Sequence, residues 1–371
     1  MSLTQENPLP VRDLISWFDH HQRDLPWRRT DDPWAIWVSE VMLQQTRVDT
    51  VIPYYQRFLN QFPTLSSLAN ASRQELLQHW EGLGYYSRGR NLQDATLQVM
   101  QQFDGVIPKT HDELLELKGI GPYTAAAVSS IAFGEPRAVV DGNVIRVMTR
   151  FFGIEEDIRR STTRNRIQKI VQSMIPSDRP GDFNQAVMEL GATICTPHNP
   201  ACNHCPLASE CTAYRTTATD RIPWKSPAKR VPHHQIGVGI LLNDQNETLI
   251  ALRPEDVMLG GLWEFPGGKQ KKGESIEQTV HRELSEELGI EIDSLKPFHT
   301  LDHAYSHFKI TLHAWTCKLS PTSPEPIART SQEIRWVPMN QLADYPFPKA
   351  NRTLVTRLIH PLVTDKKKRD S

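Results

Sequence analysis

Four of the five cysteines of this chain lie in one short stretch, which limits the possible folds more than any other feature. They are Cys195, Cys202, Cys205 and Cys211, in the spacing C-x6-C-x2-C-x5-C. Thiolates are soft ligands, and four of them this close together can enclose one iron–sulfur cluster or one zinc ion. No secretory context is visible, which makes disulfides the weaker interpretation. The spacing therefore predicts a metal or cluster site and leaves the choice between iron and zinc open.

Length and composition predict an ordinary soluble protein with more than one domain. The chain has 371 residues, of which 39% are hydrophobic and 23% are charged, and its net charge is −1. Chains beyond about 250–300 residues usually divide into domains. No apolar run approaches the ~20 residues of a membrane span, and the first residues lack the basic-then-apolar pattern of a secretory signal. We expect a cytoplasmic protein in a reducing compartment, without membrane association, whose nucleic-acid binding would depend on local groups.

Residues from about 10 to 212 show the pattern of successive helices. Capping-box patterns are present at Ser72, Thr110 and Asp182, and the third is predicted to start the helix that leads to Cys195. Strand-like alternation is nearly absent here. This part of the chain is therefore predicted to be an all-α domain.

The pattern changes after Tyr214. Scattered prolines and basic residues from 216 to 234 are typical of a linker. Residues 237–242 and 248–252 flank a polar turn and predict a β-hairpin. A helix over 276–288, begun at Ser275 and ended at Gly289, and strands at 309–315 and 333–337 complete the predicted elements. The sequence thus predicts a helical domain (1–215), a linker (216–234), an α+β domain (235–363) and a basic tail (364–371).

Two short segments of the helical part suggest chemistry. Gly119 and Gly121 lie in a turn between two predicted helices, the second of which begins with Pro122. Glycines in such a turn let backbone amides approach a phosphate oxygen, although a Gly-x-Gly turn alone is weak evidence. Asp141 follows an apolar run and precedes a helix. Considered alone, it is more often a helix N-cap than a catalyst.

The order of the motifs along the chain points to one class of protein. The segments Leu-x-Gly-x-Gly-Pro-Tyr-Thr-Ala, Val-Asp-Gly-Asn-Val and the cysteine spacing follow one another, and together they resemble the helix–hairpin–helix DNA glycosylases that carry a [4Fe–4S] cluster. The resemblance covers about residues 10–212. Residues 25–28, 38–46 and 82–88 are similar to the MutY-type adenine DNA glycosylases, which remove adenine mispaired with 8-oxoguanine. The resemblance favours [4Fe–4S] over zinc.

Hydrolysis of an N-glycoside requires protonation of the leaving base and stabilisation of a sugar cation, for which two carboxyl groups in different environments are suited. The resemblance implies that Glu40 is the acid that protonates adenine and then assists the attacking water. It implies that Asp141 stabilises the sugar cation and that Tyr123 and Asn143 orient the pair. The apolar neighbours of Glu40 should raise its pKa. The competing interpretation of Glu40 is an interhelical ion pair.

Tyr123 distinguishes this chain from relatives that also cut the DNA strand. Those relatives carry a lysine at this position, which forms a Schiff base with the sugar. A phenol cannot replace the amine, and Lys118 lies before the hairpin glycines. The sequence therefore predicts a glycosylase without strong lyase activity.

The resemblance also assigns residues that contact DNA. Extrusion of a base from the duplex costs a few kcal/mol, and protein side chains fill the gap. The implied roles are gap filling for Gln45 and Tyr85, contact with the opposing base for Thr46 and Leu83, and recognition of the flipped adenine for Arg28 and Gln185. A tyrosine or leucine in a helical protein is otherwise usually part of the core.

The second half of the chain contains a complete Nudix box. It runs from Gly268 through Arg282 to Gly289. On a helix, Glu283, Glu286 and Glu287 share one face, where carboxylates can hold Mg²⁺ against a diphosphate. Residues 235–360 resemble the 8-oxo-dGTP hydrolase MutT.

MutY-type proteins commonly lack an intact box in their Nudix-like domain. Asn351 lies in a segment similar to the one by which MutT reads the oxidised purine, while the 303–307 loop resembles the MutY loop that holds 8-oxoguanine. In that loop Ser306 and His307 are the predicted DNA contacts. The domain either only recognises the lesion or also hydrolyses 8-oxo-dGTP, with Mg²⁺ at the box.

The predicted function is therefore excision of adenine from duplex DNA containing A:8-oxoguanine or A:G, by a monomer. The alternative is additional or principal Nudix hydrolysis, in which the helical half would only deliver the hydrolase to DNA. A non-catalytic mismatch-binding protein is disfavoured because both catalytic carboxylates are present.

Overall fold

A computed structural model describes residues 9–227, 231–305 and 307–360. The basic tail and Ser306, for which the sequence made predictions, lie outside the described residues. The helices are α1 Val11–His21, α2 Pro33–Leu43, α3 Val48–Gln61, α4 Leu65–Ala69, α5 Arg73–Trp80, α6 Ser87–Gln102, α7 His111–Leu115, α8 Pro122–Phe133, α9 Gly142–Phe152, α10 Ser161–Met174, α11 Pro180–Thr193, α12 Thr212–Arg215, α13 Ile276–Leu288 and α14 Lys349–Ile359. The strands are β1 His233–Leu241, β2 Glu247–Leu252, β3 Trp263–Glu264, β4 Gly267–Lys269, β5 Ile292–Ala304, β6 Lys309–Leu319 and β7 Glu333–Pro338.

The chain divides into two compact units. The first comprises residues 1–70 and 91–228, and the second comprises residues 71–90 and 229–371. The first unit is helical, whereas the second contains the described strands, α13 and α14, together with α5 and the loop that follows it. The predicted α and α+β character of the two parts is confirmed. The domain boundaries drawn from the sequence stay a prediction.

Side-chain caps are present at the starts of four helices of the first unit, α2, α4, α7 and α9. At α7, Thr110 and Glu113 form the predicted reciprocal capping box. The predicted start at Asp182 is wrong, because α11 begins at Pro180, whose fixed φ and missing N–H suit a first helical turn. Asp182 instead accepts a 2.6 Å hydrogen bond from the guanidinium of Arg179.

Helices α1, α9 and α11 enclose the main core of the first unit. Phe18, Phe151, Phe183 and Leu190 are among its buried side chains. Burial of aromatic and aliphatic groups of this size provides most of the favourable free energy of folding. Three of the four clustered cysteines pack against this core from the segment that follows α11. Among the described helices, none has the length and apolar character needed to cross a bilayer.

The described strands of the second unit form two sheets, with the orders β4-β1-β6-β5 and β3-β2-β7. The predicted hairpin between β1 and β2 is wrong. The two strands share only an isolated bridge between Leu242 and Thr248, since β1 pairs in parallel with β6 and β2 pairs with β3 and β7. Long-range pairing has replaced the local pairing that the turn suggested.

Helix α13 carries the Nudix box and forms as predicted. Ser275 makes the capping box with Gln278, and Gly289 ends the helix in the left-handed conformation with φ 73°. The helix packs closely on β1, where a Cβ atom on Gly239 would lie 2.6 Å from Leu284 Cδ1. A glycine at this position therefore lets the helix approach the sheet.

Candidate active site

Glu40 lies in the buried helix α2 and is 5% exposed. The Tyr123 hydroxyl donates a 3.1 Å hydrogen bond to Glu40 Oε2. Burial is the main reason that the pKa of Glu40 is raised to about 7, and the nearby Asp141 charge adds to the rise, while the Tyr123 hydrogen bond and the Arg28 charge oppose it. A carboxyl group with this pKa can give and take a proton near neutral pH.

Asp141 is both a helix N-cap and a neighbour of Glu40. Its Oδ1 accepts a 2.7 Å hydrogen bond from the Val144 amide at the start of α9, and its Oδ2 accepts one of 2.8 Å from Asn143 Nδ2. Burial raises the pKa of Asp141, while these hydrogen bonds and the charge of Arg146 limit the rise. The same bonds fix the carboxylate in place and favour its charged form.

The structure therefore brings together the four predicted catalytic residues in two linked pairs. Tyr123 is bonded to Glu40, Asn143 is bonded to Asp141, and the charge of Asp141 acts on Glu40. The carboxyl group of Glu40 has a pKa of about 7, and the carboxylate of Asp141 is held by hydrogen-bond donors. This arrangement suits proton transfer to a leaving group beside stabilisation of a cation.

Arg146, which the sequence analysis missed, connects Asp141 to the cysteine segment. Its Nη2 donates to Asn143 Oδ1 at 2.8 Å and to the Gly191 carbonyl at 2.7 Å, and its Nε donates to the Cys195 carbonyl at 2.6 Å. Arg146 lies three residues after Asn143 on the predicted helix, and this spacing could have indicated that the two side chains are in contact.

Arg28 lies in a partly enclosed position beside another unpredicted residue, Glu189. Arg28 Nη2 donates to Glu189 Oε2 at 2.9 Å, and the guanidinium lies over the Phe18 ring at 5.1 Å. Burial acts to raise the pKa of Glu189, but hydrogen bonds from Arg23 and Arg28 outweigh it and hold the pKa at about 2. The Arg28 Nε is buried and has no hydrogen-bond partner within the described chain. Gln185 lies one turn before Glu189 on α11 and is partly exposed.

The two glycines of the hairpin, Gly119 and Gly121, differ in backbone conformation and in surroundings. Gly119 has φ 75°, and a Cβ atom there would lie 2.4 Å from Asn91 Cβ. Gly121 has an ordinary φ of −96° and is the N-cap of α8. No atom lies within 4 Å of the position that a Gly121 Cβ would take. Gly119 is required by the turn, and Gly121 leaves open space at the start of the helix. Contact of this helix start with a DNA phosphate stays a prediction.

Both residues assigned to gap filling have left-handed backbone conformations. Gln45 has φ 57° in the first unit, and Tyr85 has φ 47° in the second. Bulky residues rarely adopt this conformation, and it occurs preferentially at functional sites. Thr46 follows Gln45 and is partly exposed, whereas Leu83 is 5% exposed.

The four clustered cysteines line one pocket together with Arg150. Arg150 Nη1 lies 3.4 Å from Cys195 Sγ and donates to the Thr196 carbonyl at 2.7 Å. Among the described residues, no group of three or more His, Cys, Asp or Glu side chains is arranged to hold a single metal ion. Four thiols around one pocket are nevertheless the donor set of a [4Fe–4S] cluster.

The Nudix-box glutamates are bound to neighbouring groups. Arg282 Nη1 donates to Glu283 at 2.8 Å and to Glu286 at 3.0 Å, and the Gly267 amide donates to Glu287 Oε2 at 3.0 Å. Burial raises the pKa of Glu287 to about 8, helped by the charges of Glu264 and Glu283.

Glu264 is a further carboxylate that the sequence analysis did not assign to the site. Arg253 Nη1 contacts both of its carboxylate oxygens, at 2.7 and 2.6 Å. Burial raises the pKa of Glu264, and the Arg253 charge opposes the rise. Glu264 lies immediately before the Nudix loop in the sequence, and this position could have indicated that it belongs to the same site.

A cavity of about 590 Å³ lies within the second unit. Leu83 and Tyr85 line it together with Tyr305, His307 and Lys349. Asn351, the predicted nucleotide contact, does not line this cavity. Its Oδ1 accepts a 3.1 Å hydrogen bond from the Phe265 amide, and the residue is 7% exposed.

Two parts of the chain match known families. Residues 38–173 match the HhH-GPD superfamily of base excision DNA repair proteins, and residues 237–357 match the NUDIX domain. The chain is 36% identical to the adenine DNA glycosylase of Rattus norvegicus over 382 residues, which cover 88% of this chain and 73% of that protein. It is 34% identical to the adenine DNA glycosylase of Homo sapiens over 379 residues, which cover 87% of this chain and 69% of that protein.

The chain is also similar to the solved structure of a thermostable thymine-DNA glycosylase. The TM-score is 0.50 at 28% identity, and the match covers 56% of this chain and 95% of that chain.

Proposed function

The chain belongs to the adenine DNA glycosylase family of base-excision repair, and on this basis we propose that it removes adenine lying opposite 8-oxoguanine or guanine. The observation that carries the proposal is Glu40, a buried carboxyl group with a pKa of about 7 beside Tyr123 and Asp141. Such a group is protonated often enough near neutral pH to act as a general acid.

In the proposed reaction, Glu40 donates its proton to a ring nitrogen of adenine. The bond between the base and C1′ of the sugar then breaks, and adenine leaves with that proton. The Asp141 carboxylate, fixed by Val144 and Asn143, stabilises the positive charge on the sugar. Water adds to C1′ and gives a proton to the Glu40 carboxylate, which restores the acid.

Tyr123 supports a reaction without a covalent amine intermediate. Its hydroxyl donates to Glu40 and lies 3.7 Å from Met188 Sδ. A phenol cannot form a Schiff base, so the product is an intact strand with an abasic site. Borohydride treatment during turnover on an A:8-oxoguanine duplex tests this. The expected result is free adenine without cross-linked protein, and efficient cross-linking would contradict it.

We further propose that Cys195, Cys202, Cys205 and Cys211 hold a [4Fe–4S] cluster. When bound, the cluster would supply a structural link between the parts of the segment that carry its four thiolates. Arg150 joins the two ends of the segment, because it donates to the Thr196 carbonyl next to Cys195 at 2.7 Å and to the Thr219 carbonyl beyond Cys211 at 2.6 Å. Iron and sulfide analysis of the purified protein tests this assignment, and one bound zinc without iron would contradict it.

The second unit is proposed to recognise 8-oxoguanine opposite the adenine, through the 303–307 loop and the Leu83–Tyr85 segment. The cavity that these two segments line supports this. Release rates from duplexes with adenine opposite 8-oxoguanine, guanine and thymine test it. We expect rates in that order, and equal release from all three would contradict recognition of the lesion.

Hydrolysis of 8-oxo-dGTP is the second candidate function. The complete Nudix box and the additional carboxylate Glu264 favour Mg²⁺ binding beside Glu283 and Glu287. The occupied Asn351 oxygen disfavours reading of a purine there. Turnover of 8-oxo-dGTP by the full chain with Mg²⁺ that is lost in Glu287→Gln would support hydrolysis, and no turnover above that variant would exclude it.

The protein is proposed to act as a monomer in the cytoplasm. Light scattering coupled to size-exclusion chromatography, with and without duplex DNA, tests whether the protein is a monomer. A mass near 42.4 kDa for the free protein is expected, and a stable dimer would contradict it.

A further inference from the structure

The loop between α5 and α6 has an unusual backbone. Gly82, Gly84 and Tyr85 all have positive φ, at 98°, 73° and 47°. The two glycines adopt this conformation readily, but a tyrosine does so only when surrounding contacts hold it there. Tyr85 is also 38% exposed, so its own side chain is not held by burial in a core. Contacts on either side of the loop help to fix its shape.

An ion pair fixes the chain immediately before this loop. Arg352 of α14 donates from Nε to Glu81 Oε1 at 2.6 Å and from Nη2 to Glu81 Oε2 at 2.7 Å. The Phe347 amide donates to the same Glu81 Oε1 at 3.2 Å. The side chains of Arg352 and Glu81 are 25% and 19% exposed. A two-point arginine–carboxylate pair in a partly buried position sets orientation as well as distance.

A second arginine fixes the chain after the loop. Arg88 is 8% exposed and donates to the Gly84 carbonyl at 3.1 Å and the Leu83 carbonyl at 3.3 Å. Its guanidinium also lies over the Tyr85 ring at 5.4 Å. Arg88 thus holds the internal shape of the loop, whereas Glu81 attaches the loop to α14.

Helix α5 is attached to the same unit at a separate point. Gln74 Nε2 donates to the Gly261 carbonyl at 3.0 Å, and Trp263 Nε1 donates to Gln74 Oε1 at 3.1 Å. The loop therefore begins from a helix that is itself held. Loss of the Arg352 contact should release the loop without unfolding α5.

The attached loop faces the cavity described above. Leu83 and Tyr85 line this cavity from the loop, and Tyr305 and His307 line it from the 303–307 segment. Lys349, at the start of α14, lines it as well. Since Arg352 is on the same helix, the Arg352–Glu81 pair links the loop wall of the cavity to the helix that carries Lys349.

We propose that Arg352 is a positioning residue for lesion discrimination. Through Glu81 it holds the Leu83–Tyr85 segment in the shape that distinguishes 8-oxoguanine from guanine opposite the adenine. This inference rests on the proposed function, because it assigns a role within adenine excision from A:8-oxoguanine duplexes.

The test compares single-turnover adenine release from A:8-oxoguanine and A:G duplexes by the full-length protein. Arg352→Met should lower the ratio of the two rates about tenfold, the effect expected for loss of a charge-assisted hydrogen-bonded pair. The A:G rate should change by less than about twofold, because the catalytic carboxyl groups keep their contacts. Arg352→Lys keeps the charge but not the two-point geometry, and should restore only part of the ratio.

Glu81→Gln provides a second route to the same loss. In the double variant with Arg352→Met, the ratio should fall no further than in the more severe single variant. Lys318→Met removes a different ion pair of this unit, with Asp244 at 2.8 Å, and should leave the ratio unchanged.

An equal fall of both rates, an unchanged ratio in Arg352→Met, or independent effects of the two substitutions would overturn the positioning role. Wild-type protein that releases adenine from neither duplex would contradict the proposed function itself. Equal release from both duplexes would leave adenine excision standing and would contradict the lesion discrimination on which the positioning role depends.

Discussion

Replacement of Glu40 by glutamine should stabilise the folded protein at alkaline pH while abolishing adenine release. Glu40 is 5% exposed, and its pKa is raised from 4.5 to about 7, mainly by burial. Above pH 7 the native protein must therefore hold an ionised carboxylate in a poorly hydrated position. Glutamine has the same shape and still accepts the Tyr123 hydrogen bond, but it carries no charge.

The size of the effect follows from the pKa rise. About 1.4 kcal/mol per pH unit, over the rise from 4.5 to about 7, gives a difference of about 3 kcal/mol. The folded protein binds the Glu40 proton more tightly than the unfolded chain. Its contribution to stability is therefore complete below pH 4.5 and is lost as the pH rises through 7. The variant should gain stability over the wild type across that range.

Chemical denaturation of wild type and Glu40→Gln between pH 5 and 9 measures this difference. The two proteins should be similar at the acidic end and separate by about 3 kcal/mol at the alkaline end. Glu116→Gln, a substitution at an exposed position, is the control and should show no such separation. A constant difference between wild type and Glu40→Gln at all pH values would refute the assignment of a raised pKa to Glu40.

Three further substitutions test the hairpin and the link to the cysteine segment. Gly119→Ala should destabilise the protein by about 1–3 kcal/mol, because of its φ of 75° and the clash with Asn91. Gly121→Ala should cost less, about 0.5–1 kcal/mol, because alanine is a poorer N-cap than glycine. Equal losses on denaturation would contradict this account. Arg146→Met should slow single-turnover adenine release about tenfold, since Asn143 loses a charge-assisted hydrogen bond. An unchanged rate in Arg146→Met would contradict the role of this bridge.

The parts of the fold that were predictable from the sequence depend on local interactions. Helix α13 begins and ends where Ser275 and Gly289 indicate, because a cap satisfies backbone groups within a few residues. The hairpin between β1 and β2 was predicted by the same local reasoning and is wrong. Strand partners are chosen by burial of whole sheet faces, and β6, far along the chain, pairs better with β1.

The same distinction applies to the active site. Sequence order and resemblance identified Glu40 and Asp141, and in the structure the charge of Asp141 helps to raise the pKa of Glu40. Glu189 was missed because its partners Arg23 and Arg28 lie more than 160 positions away in the chain. Nothing in the spacing of residues indicates which distant charge will neutralise a buried carboxylate, since that depends on helix packing.

Asp141 shows how one residue can satisfy two interpretations. The sequence alone favoured a helix N-cap, and the structure confirms that cap through the Val144 amide. The cap also holds the carboxylate beside Glu40, so the structural role supports the proposed catalytic one. Tyr85 is the opposite case. Its left-handed backbone lies in a loop whose preceding residue Glu81 is bonded to Arg352, 271 positions away, and no local pattern indicates that contact.

The most direct test of the central claim is chromatographic detection of free adenine from an A:8-oxoguanine duplex under single-turnover conditions. Wild-type protein should release adenine, at a rate that falls as the pH rises through about 7, where Glu40 loses its proton. Glu40→Gln should bind the duplex and release none. Adenine release by Glu40→Gln at the wild-type rate would contradict the assignment of Glu40 as the acid that drives excision.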